Sequence, residues 1–214
     1  MATRGSKTGN QITFLIVKHN DIIEESKDPR EGFEPIKVFN PKTKEEITKY
    51  IDRWGSLSGM IDNVELYDTG DTYATRYQGI KLNIDHEVVL DIPAKSAAYT
   101  VFCKLAENID FSQPVTISAS LDKKTDRTAF FVTQNGTGVK WKYTRENPNG
   151  LPAWEKDELG EWDSRKEKAF LKQKIQDVVI PACTAAFEER LASSPELAAS
   201  VAAGSSGATT YVES

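Results

Sequence analysis

The sequence has very few of the residues that build disulfides, metal centres and acid–base catalytic sites. Its 214 residues include two cysteines and two histidines. Cys103 and Cys183 each stand alone in an apolar segment, so we expect two buried, reduced thiols and no metal site. His19 and His86 have no neighbouring Ser, Cys or carboxylate in a known catalytic pattern. We therefore expect a protein that is not an enzyme, with no catalytic residues, no metal and no cofactor.

Long apolar runs and the signatures of nucleotide, metal and acyl-transfer sites are also absent. No stretch reaches the ~18 apolar residues that a membrane helix needs, and the start MATRGSKTGNQ lacks the apolar centre of a secretory signal. GxxxxGK[ST], GxGxxG, HExxH and GxSxG do not occur. The aspartates lack the regular spacing of a Ca²⁺ loop or a two-metal nuclease. We expect a non-exported, cytoplasmic protein without membrane contact.

Charge is negative overall but unevenly distributed. A net charge of -5 argues against a protein that coats duplex DNA with its whole surface, because phosphate binding needs concentrated positive potential. Basic residues cluster in KWKYTR (140–145) and RKEKAFLKQK (165–174). The lysines of the second segment spread around a predicted helix, which favours a solvated face. The first segment is compatible with a local basic groove that binds phosphates.

The chain is predicted to be one domain between two flexible tails. Both ends are small and polar, and the last twenty or so residues are rich in Ala, Ser, Gly and Thr. The predicted parts are a tail at 1–10, a domain at 11–192 with an N-terminal extension (11–52), a barrel (53–145) and a C-terminal helix (163–192), and a tail at 193–214. Whether the extension adds a strand to the barrel or an arm for a neighbouring subunit stays open. The polar stretch 20–30 is predicted to be a loop.

The order of predicted elements indicates the fold class. Alternating apolar residues and glycines predict a long strand that bends at a glycine, two more strands, a helix capped by Ser96, and two further strands. They cover 53–67, 73–85, 87–92, 96–108, 114–121 and 128–134. Asn135-Gly136 then predicts a turn into a hairpin strand at 139–144. We predict a mainly β (β+α) fold: an OB-fold-like Greek-key barrel with one helix between strands three and four, an added β-hairpin and a C-terminal helix. A β-sandwich with one helix fits the same order.

One stretch resembles a known family. The matching features are the helix ending in AENID, the strand QPVTIS, the hairpin QNGTGVKWKYT and the turn NPNGLPAWE, within roughly residues 53–165. In these features the chain resembles the OB-fold single-stranded DNA-binding proteins encoded by tailed bacteriophages and prophages. The resemblance implies sequence-independent binding of single-stranded DNA in phage replication or recombination, in the host cytoplasm. The ending TTYVES departs from the acidic tail with which many such proteins recruit replication enzymes.

Rings and cations together identify a candidate binding surface. A protein that holds single strands of any sequence needs aromatic side chains for stacking and cations for phosphates. KWKYTR supplies both, and the usual nucleic-acid face of an OB-fold crosses its second and third strands. The candidate nucleic-acid-binding residues are Tyr73, Arg76, Tyr77, Lys81, Asn83, Lys140, Trp141, Lys142, Tyr143 and Arg145.

The sequence leaves a second function open. Val139, Trp141 and Tyr143 share one strand parity, so these side chains are equally consistent with the core of a hairpin. The chain would then be a structural or protein-interaction β module, with a virion component as one example, and would have no nucleic-acid role. Expected partners are single-stranded DNA and, as open alternatives, a second copy of the chain or phage replication proteins.

Overall fold

The structure is mainly β with helices, as predicted. It is a computed structural model that describes residues 12–18, 20–40, 43–70, 77–124, 126–156, 158 and 160–205. Two predicted site residues, Tyr73 and Arg76, lie outside the described residues, as do residues 1–10 of the first predicted tail and 206–214 of the second.

The described residues form three β-sheets and several helices. The strands are β1 (Thr13–Lys18), β2 (Asp21–Ser26), β3 (Glu34–Asn40), β4 (Glu45–Trp54), β5 (Leu57–Gly59), β6 (Ile61–Thr69), β7 (Tyr77–Ile84), β8 (Val88–Pro93), β9 (Val115–Asp122), β10 (Arg127–Gln134), β11 (Thr137–Gly138), β12 (Glu155–Lys156) and β13 (Trp162–Asp163). The helices are α1 (Ala97–Leu105) with a 3₁₀ turn (Ala106–Asn108), α2 (Arg165–Lys174), a π turn (Ile175–Val179), α3 (Ile180–Ser193) and α4 (Pro195–Ser205).

The largest sheet has seven strands in the order β3-β4-β2-β1-β8-β7-β6. The β1–β8 pair is parallel, with Thr13 opposite Val88, and the other described pairs are antiparallel. The N-terminal extension therefore builds more than half of this sheet. The predicted loop at 20–30 was wrong, because β2 is polar and yet buried: Glu24 and Ser26 are enclosed alongside Ile22 and Ile23.

The second sheet has the order β11-β10-β9-β5. Its strand β5 is followed directly in the chain by β6, which belongs to the first sheet. The predicted long strand is divided into β5, which pairs with β9, and β6, which pairs with β7. The division lies at Gly59, where a Cβ atom would be 2.2 Å from Asp85 Oδ2. The same carboxylate accepts a 2.9 Å hydrogen bond from the Met60 N–H. Asp85 thus holds the bend, and only glycine permits its close approach.

The core lies between the two sheets and the helices. Ile80, Leu82 and Ile84 of β7 face it, together with Phe102 of α1 and Ile175 of the π turn. As predicted, Ser96 caps α1, since its Oγ accepts from the Tyr99 N–H at 3.2 Å. In the described residues neither large sheet closes on itself, because β8 pairs with β1 along the edge that a closed barrel would join to β10.

The C-terminal region is more helical than the sequence predicts. Helix α2 continues into α3 through the π turn, so Pro181 lies in the first turn of α3 and does not interrupt it. Part of the predicted tail, Pro195–Ser205, forms α4. Ser194 caps it, proline is favoured at a first helical position, and alanine has the highest helix propensity. No helix in the described ranges is long and apolar enough to cross a bilayer.

Candidate nucleic-acid interface

The segment after β11 is a loop where a hairpin strand is predicted. Of the residues that follow the Asn135-Gly136 turn, only Thr137 and Gly138 pair with β10. The Val139 N–H still donates to Val132 O at 2.8 Å, and the chain then leaves the sheet. We call residues 139–150 the Trp141 loop. The predicted strand was wrong because Tyr143 packs its ring at 88° against Phe170 of α2, with 5.5 Å between ring centroids.

Tyr143 is a core residue and does not provide an exposed ring. Only 2% of its surface is exposed, and its hydroxyl donates to Glu107. Burial raises the pKa of Tyr143, and the hydrogen bond to Glu107 raises that pKa further. The side chain therefore stays neutral and anchors the loop to the 3₁₀ turn and α2.

The backbone around Trp141 is held on both sides by hydrogen bonds. Asn108 Nδ2 donates to Lys140 O at 2.9 Å, and the Lys142 N–H donates to Lys104 O at 2.6 Å. Asn149 Nδ2 donates to Lys142 O at 2.5 Å, which ties the far side of the loop to the same short stretch. These bonds fix residues 140–142 before any ligand arrives.

The fixed backbone presents cations beside an exposed indole. Lys140, Lys142 and Arg145 are exposed, and none of them forms an ion pair within the described part of the chain. Trp141 is 47% exposed. The Lys104 ammonium lies 5.8 Å from the centroid of its ring, within the range of a cation–π contact.

A second exposed tryptophan adjoins this surface, and the sequence did not predict a role for it. Trp154 is 51% exposed, and its indole N–H donates to Glu167. Glu167 is buried and forms a 2.7 Å ion pair with Lys104. The ion pair therefore lies between Trp141 and Trp154 and positions both. The turn NPNGLPAW was the available sequence signal, but the role of α2 in holding Trp154 depends on tertiary contacts.

The other predicted site residues that the structure describes, Tyr77, Lys81 and Asn83, lie on the outer face of β6, β7 and β8, which we call the sheet face. Tyr77 is 63% exposed, whereas Lys81 and Asn83 are half-buried. Lys81 lies between Glu65 of β6 and Asp91 of β8 in the strand register. Its ammonium is 5.2 Å from the centroid of the Tyr67 ring. This cation is therefore surrounded by acidic groups of its own sheet.

On the sheet face, the Tyr67 side chain crosses over Gly79 to reach Asp91. The Tyr67 hydroxyl donates to Asp91 Oδ1 at 2.8 Å. A Cβ atom at Gly79 would be 2.5 Å from that hydroxyl, so the ring needs glycine opposite it. Burial raises the pKa of Asp91, although the hydrogen bond from Tyr67 and the charge of Lys81 oppose the shift.

Sequence reasoning also missed a buried polar cluster around Asp62. Its carboxylate accepts from the His86 backbone N–H at 2.8 Å and pairs with Arg190 of α3 at 3.1 Å. His86 Nδ1 lies 3.4 Å from the same carboxylate, a contact that the sequence pattern did not reveal. Burial raises the pKa of Asp62, against the opposing effect of both partners. A cavity of about 370 Å³ adjoins the cluster.

The Asp62 cluster fastens α3 to the sheet. Arg190 Nη2 also donates to Ile61 O at 2.9 Å, so one guanidinium binds two consecutive residues of β6. The Asp62 carboxylate is engaged by both partners and is not placed to act as a free base. In the described ranges no group of three or more His, Cys, Asp or Glu could hold a metal ion. Cys103 and Cys183 are buried and free, as predicted.

Comparison with known proteins gives no match. No family model matches the sequence, and neither a curated protein nor a solved structure matches the chain.

Proposed function

We propose that this protein binds single-stranded DNA without reading its sequence, and that the Trp141 loop is its main contact. The observation that carries this proposal is the alternation of unpaired cations with a half-exposed indole on a backbone that hydrogen bonds hold in place. Stacking contributes roughly 1 to 3 kcal/mol per base and requires no particular base. A loop that is already ordered loses little conformational entropy on binding.

Local charge favours the Trp141 loop over the sheet face as the phosphate contact. The loop carries three cations and one acid, Glu146, within residues 139–150. On the sheet face, Lys81 has an acidic residue on each neighbouring strand. Since phosphates are attracted by net positive potential, Tyr77 and Asn83 are at most a secondary contact on this proposal.

The strand pairing supports an OB-fold-like interpretation of residues 57–134. The order β5/β6, β7, β8, α1, β9, β10 follows the OB-fold, and the divided first strand pairs with β7 at one end and β9 at the other. In this interpretation β1 takes the place beside β8 that the last strand of a closed barrel would occupy. A role in phage replication or recombination rests on the resemblance of the motifs described above.

Titration of a fluorescein-labelled oligo-dT tests the proposal. Anisotropy at two salt concentrations should report binding that weakens with salt, because cations that contact phosphates release counterions. Trp141→Ala should weaken binding by about 5- to 150-fold, the range that one stacked base allows. Tyr77→Ala is the matched control on the sheet face and should leave the affinity nearly unchanged. Absence of binding by the wild type at low salt would refute the proposal, and a larger loss in Tyr77→Ala would move the site to the sheet face.

A structural or protein-interaction role is the second candidate, and the β3–β4 hairpin favours it. Only Tyr50–Trp54 of β4 pair with β2, so the remainder of the hairpin extends beyond the sheet. Phe39 is 61% exposed there, and Ile47 is 37% exposed. Isolated two-stranded ribbons are marginally stable in water. Sedimentation of the wild type and Phe39→Ser over a range of concentrations tests this role: self-association that Phe39→Ser abolishes would support it.

A further inference from the structure

Strand β6 forms one edge of the seven-stranded sheet, and only half of that edge is covered. At its start, Arg190 Nη2 donates to Ile61 O at 2.9 Å, and the Cys183 thiol lies 3.7 Å from the same oxygen. Helix α3 therefore closes this half, which is a common way to protect a sheet edge. Within the described chain, β6 pairs with β7 and with no other strand.

The second half of the edge borders an open groove. Residues 63–68 of β6 form one wall, and Lys172, Gln176 and Ile180 form the other, enclosing about 440 Å³. Residues 63–67 make no backbone hydrogen bond other than those with β7 in the described structure. In an antiparallel edge strand, alternate residues direct both N–H and C=O away from the sheet. The β6 wall of the groove therefore carries peptide groups without a partner strand.

The chemistry of this groove selects an extended peptide. Alternating donors and acceptors at strand spacing match another peptide backbone, and a polynucleotide has no equivalent series. Glu65 on the outer face is exposed and without an ion pair among the described residues. Leu66 and Ile180 are partly buried apolar residues beside the groove. A peptide that alternates basic and apolar residues would contact Glu65 with its basic side chains, and Leu66 and Ile180 with its apolar ones.

We propose that the groove along residues 63–67 of β6 binds an extended segment of another protein by strand addition. The bound segment would place a basic side chain beside Glu65 and apolar side chains toward Leu66 and Ile180. The groove shares no residue with the Trp141 loop, so DNA binding and peptide binding can be tested with separate variants.

The probe is the blocked pentapeptide acetyl-Val-Lys-Val-Lys-Val-amide, added to the full-length protein at concentrations up to millimolar. Amide hydrogen exchange measured by NMR should slow at outward-directed residues between 63 and 67, because these N–H groups gain a partner. Glu65→Lys should weaken binding by about fivefold, the size of a cross-strand charge pair. Glu45→Lys, on the distant end of β4, is the matched control and should have no effect.

An N-methylated copy of the probe separates strand addition from simple charge attraction. It keeps both lysines, but it cannot donate to the β6 carbonyls and its N-methyl groups prevent the close approach of a paired strand, so it should not protect the β6 N–H groups. Equal binding of the two peptides would overturn the proposal, and so would the absence of binding at millimolar peptide. Protection of residues 63–67 that rises with protein concentration and needs no peptide would replace the proposed partner by a second copy of the chain.

Discussion

The Trp141 loop and the sheet face both carry rings and cations, but the surroundings of those cations differ. Lys140 and Lys142 extend from a fixed backbone with no acidic partner in the described residues. Lys81 lies between Glu65 and Asp91 in the strand register and over the Tyr67 ring. Side-chain type and spacing are therefore not enough to identify a phosphate contact. The acids brought alongside by tertiary pairing decide whether a cation is available.

The largest difference between the two regions should be in stability. Tyr143→Ala should lower the free energy of unfolding by about 3 to 5 kcal/mol, because it removes a buried ring and leaves a cavity beneath the loop. Tyr77→Ala removes an exposed ring and should change that energy by less than about 0.5 kcal/mol. Urea unfolding followed by circular dichroism measures both. Similar losses in the two variants would mean that the tyrosines do not differ in burial as described.

The next effect is on the salt dependence of DNA binding. Lys140→Ala/Lys142→Ala should reduce the slope of log affinity against log salt by about 1.4, since each phosphate contact on a single strand contributes about 0.7. Lys81→Ala is the counterpart on the sheet face and should leave the slope unchanged. Anisotropy titrations at four salt concentrations give the slopes. An unchanged slope in the double variant would exclude both lysines as phosphate contacts.

A smaller effect should follow when the loop loses one of its anchors. Asn149→Gly removes the hydrogen bond to Lys142 O, while glycine accepts the backbone φ of 48° at this position. The affinity for oligo-dT should fall about two- to fivefold, because one hydrogen bond contributes about 0.5 to 1 kcal/mol to the ordered loop. Asn83→Ala on the sheet face should not change the affinity. If Asn149→Gly binds like the wild type, the loop does not need this anchor.

The smallest effect is a pH dependence of stability that Asp91 of the sheet face contributes. Burial raises the pKa of Asp91 above its unfolded value, so its contribution to stability is present below that value and is lost as pH rises through the folded pKa. The wild type should therefore lose stability relative to Asp91→Asn as the pH rises above about 4, the unfolded pKa of an aspartate. Asp110 should behave in the opposite way, because hydrogen bonds from Ser112 lower its pKa. Thermal unfolding of the wild type, Asp91→Asn and Asp110→Asn at a series of pH values measures these effects, and parallel curves for Asp91→Asn and the wild type would contradict the assignment.

Local sequence signals predicted the β-rich class and several individual elements. The Ser96 cap, the apolar side of α1 and the alternation in β7 depend on neighbouring residues along the chain, so they could be identified without a structure. The division between β5 and β6 was also signalled, by glycine at the bend. Tyr77 has the opposite strand parity to Ile80 and Leu82, and it is exposed whereas they are buried.

The errors arose where long-range contacts override local patterns. Residues 139–144 alternate like a strand, but packing of Tyr143 onto α2 turns them into a loop. The sequence of β2 is polar and therefore predicts a loop. In the structure its acidic and hydroxyl side chains are buried by residues from other parts of the chain. Whether Lys81 can contact a phosphate depends on the strand register that places Glu65 opposite it. The cluster of His86 and Asp62 depends on Arg190 of α3. Patterns in a single sequence specify neither.

The parallel contact of β1 with β8 has a consequence for synthesis of the chain. Thr13 is translated before its partner Val88, which follows only after the whole β2–β7 region. Until then Leu15, which is buried in the finished core, lacks its partner Leu90 on β8. During synthesis, the β1–β2 hairpin therefore lacks the neighbouring strand β8 that completes its side of the sheet. A recombinant fragment that begins at β5 would lack β1 instead. The edge of β8 that pairs with β1 would then be exposed, and we expect such a fragment to aggregate.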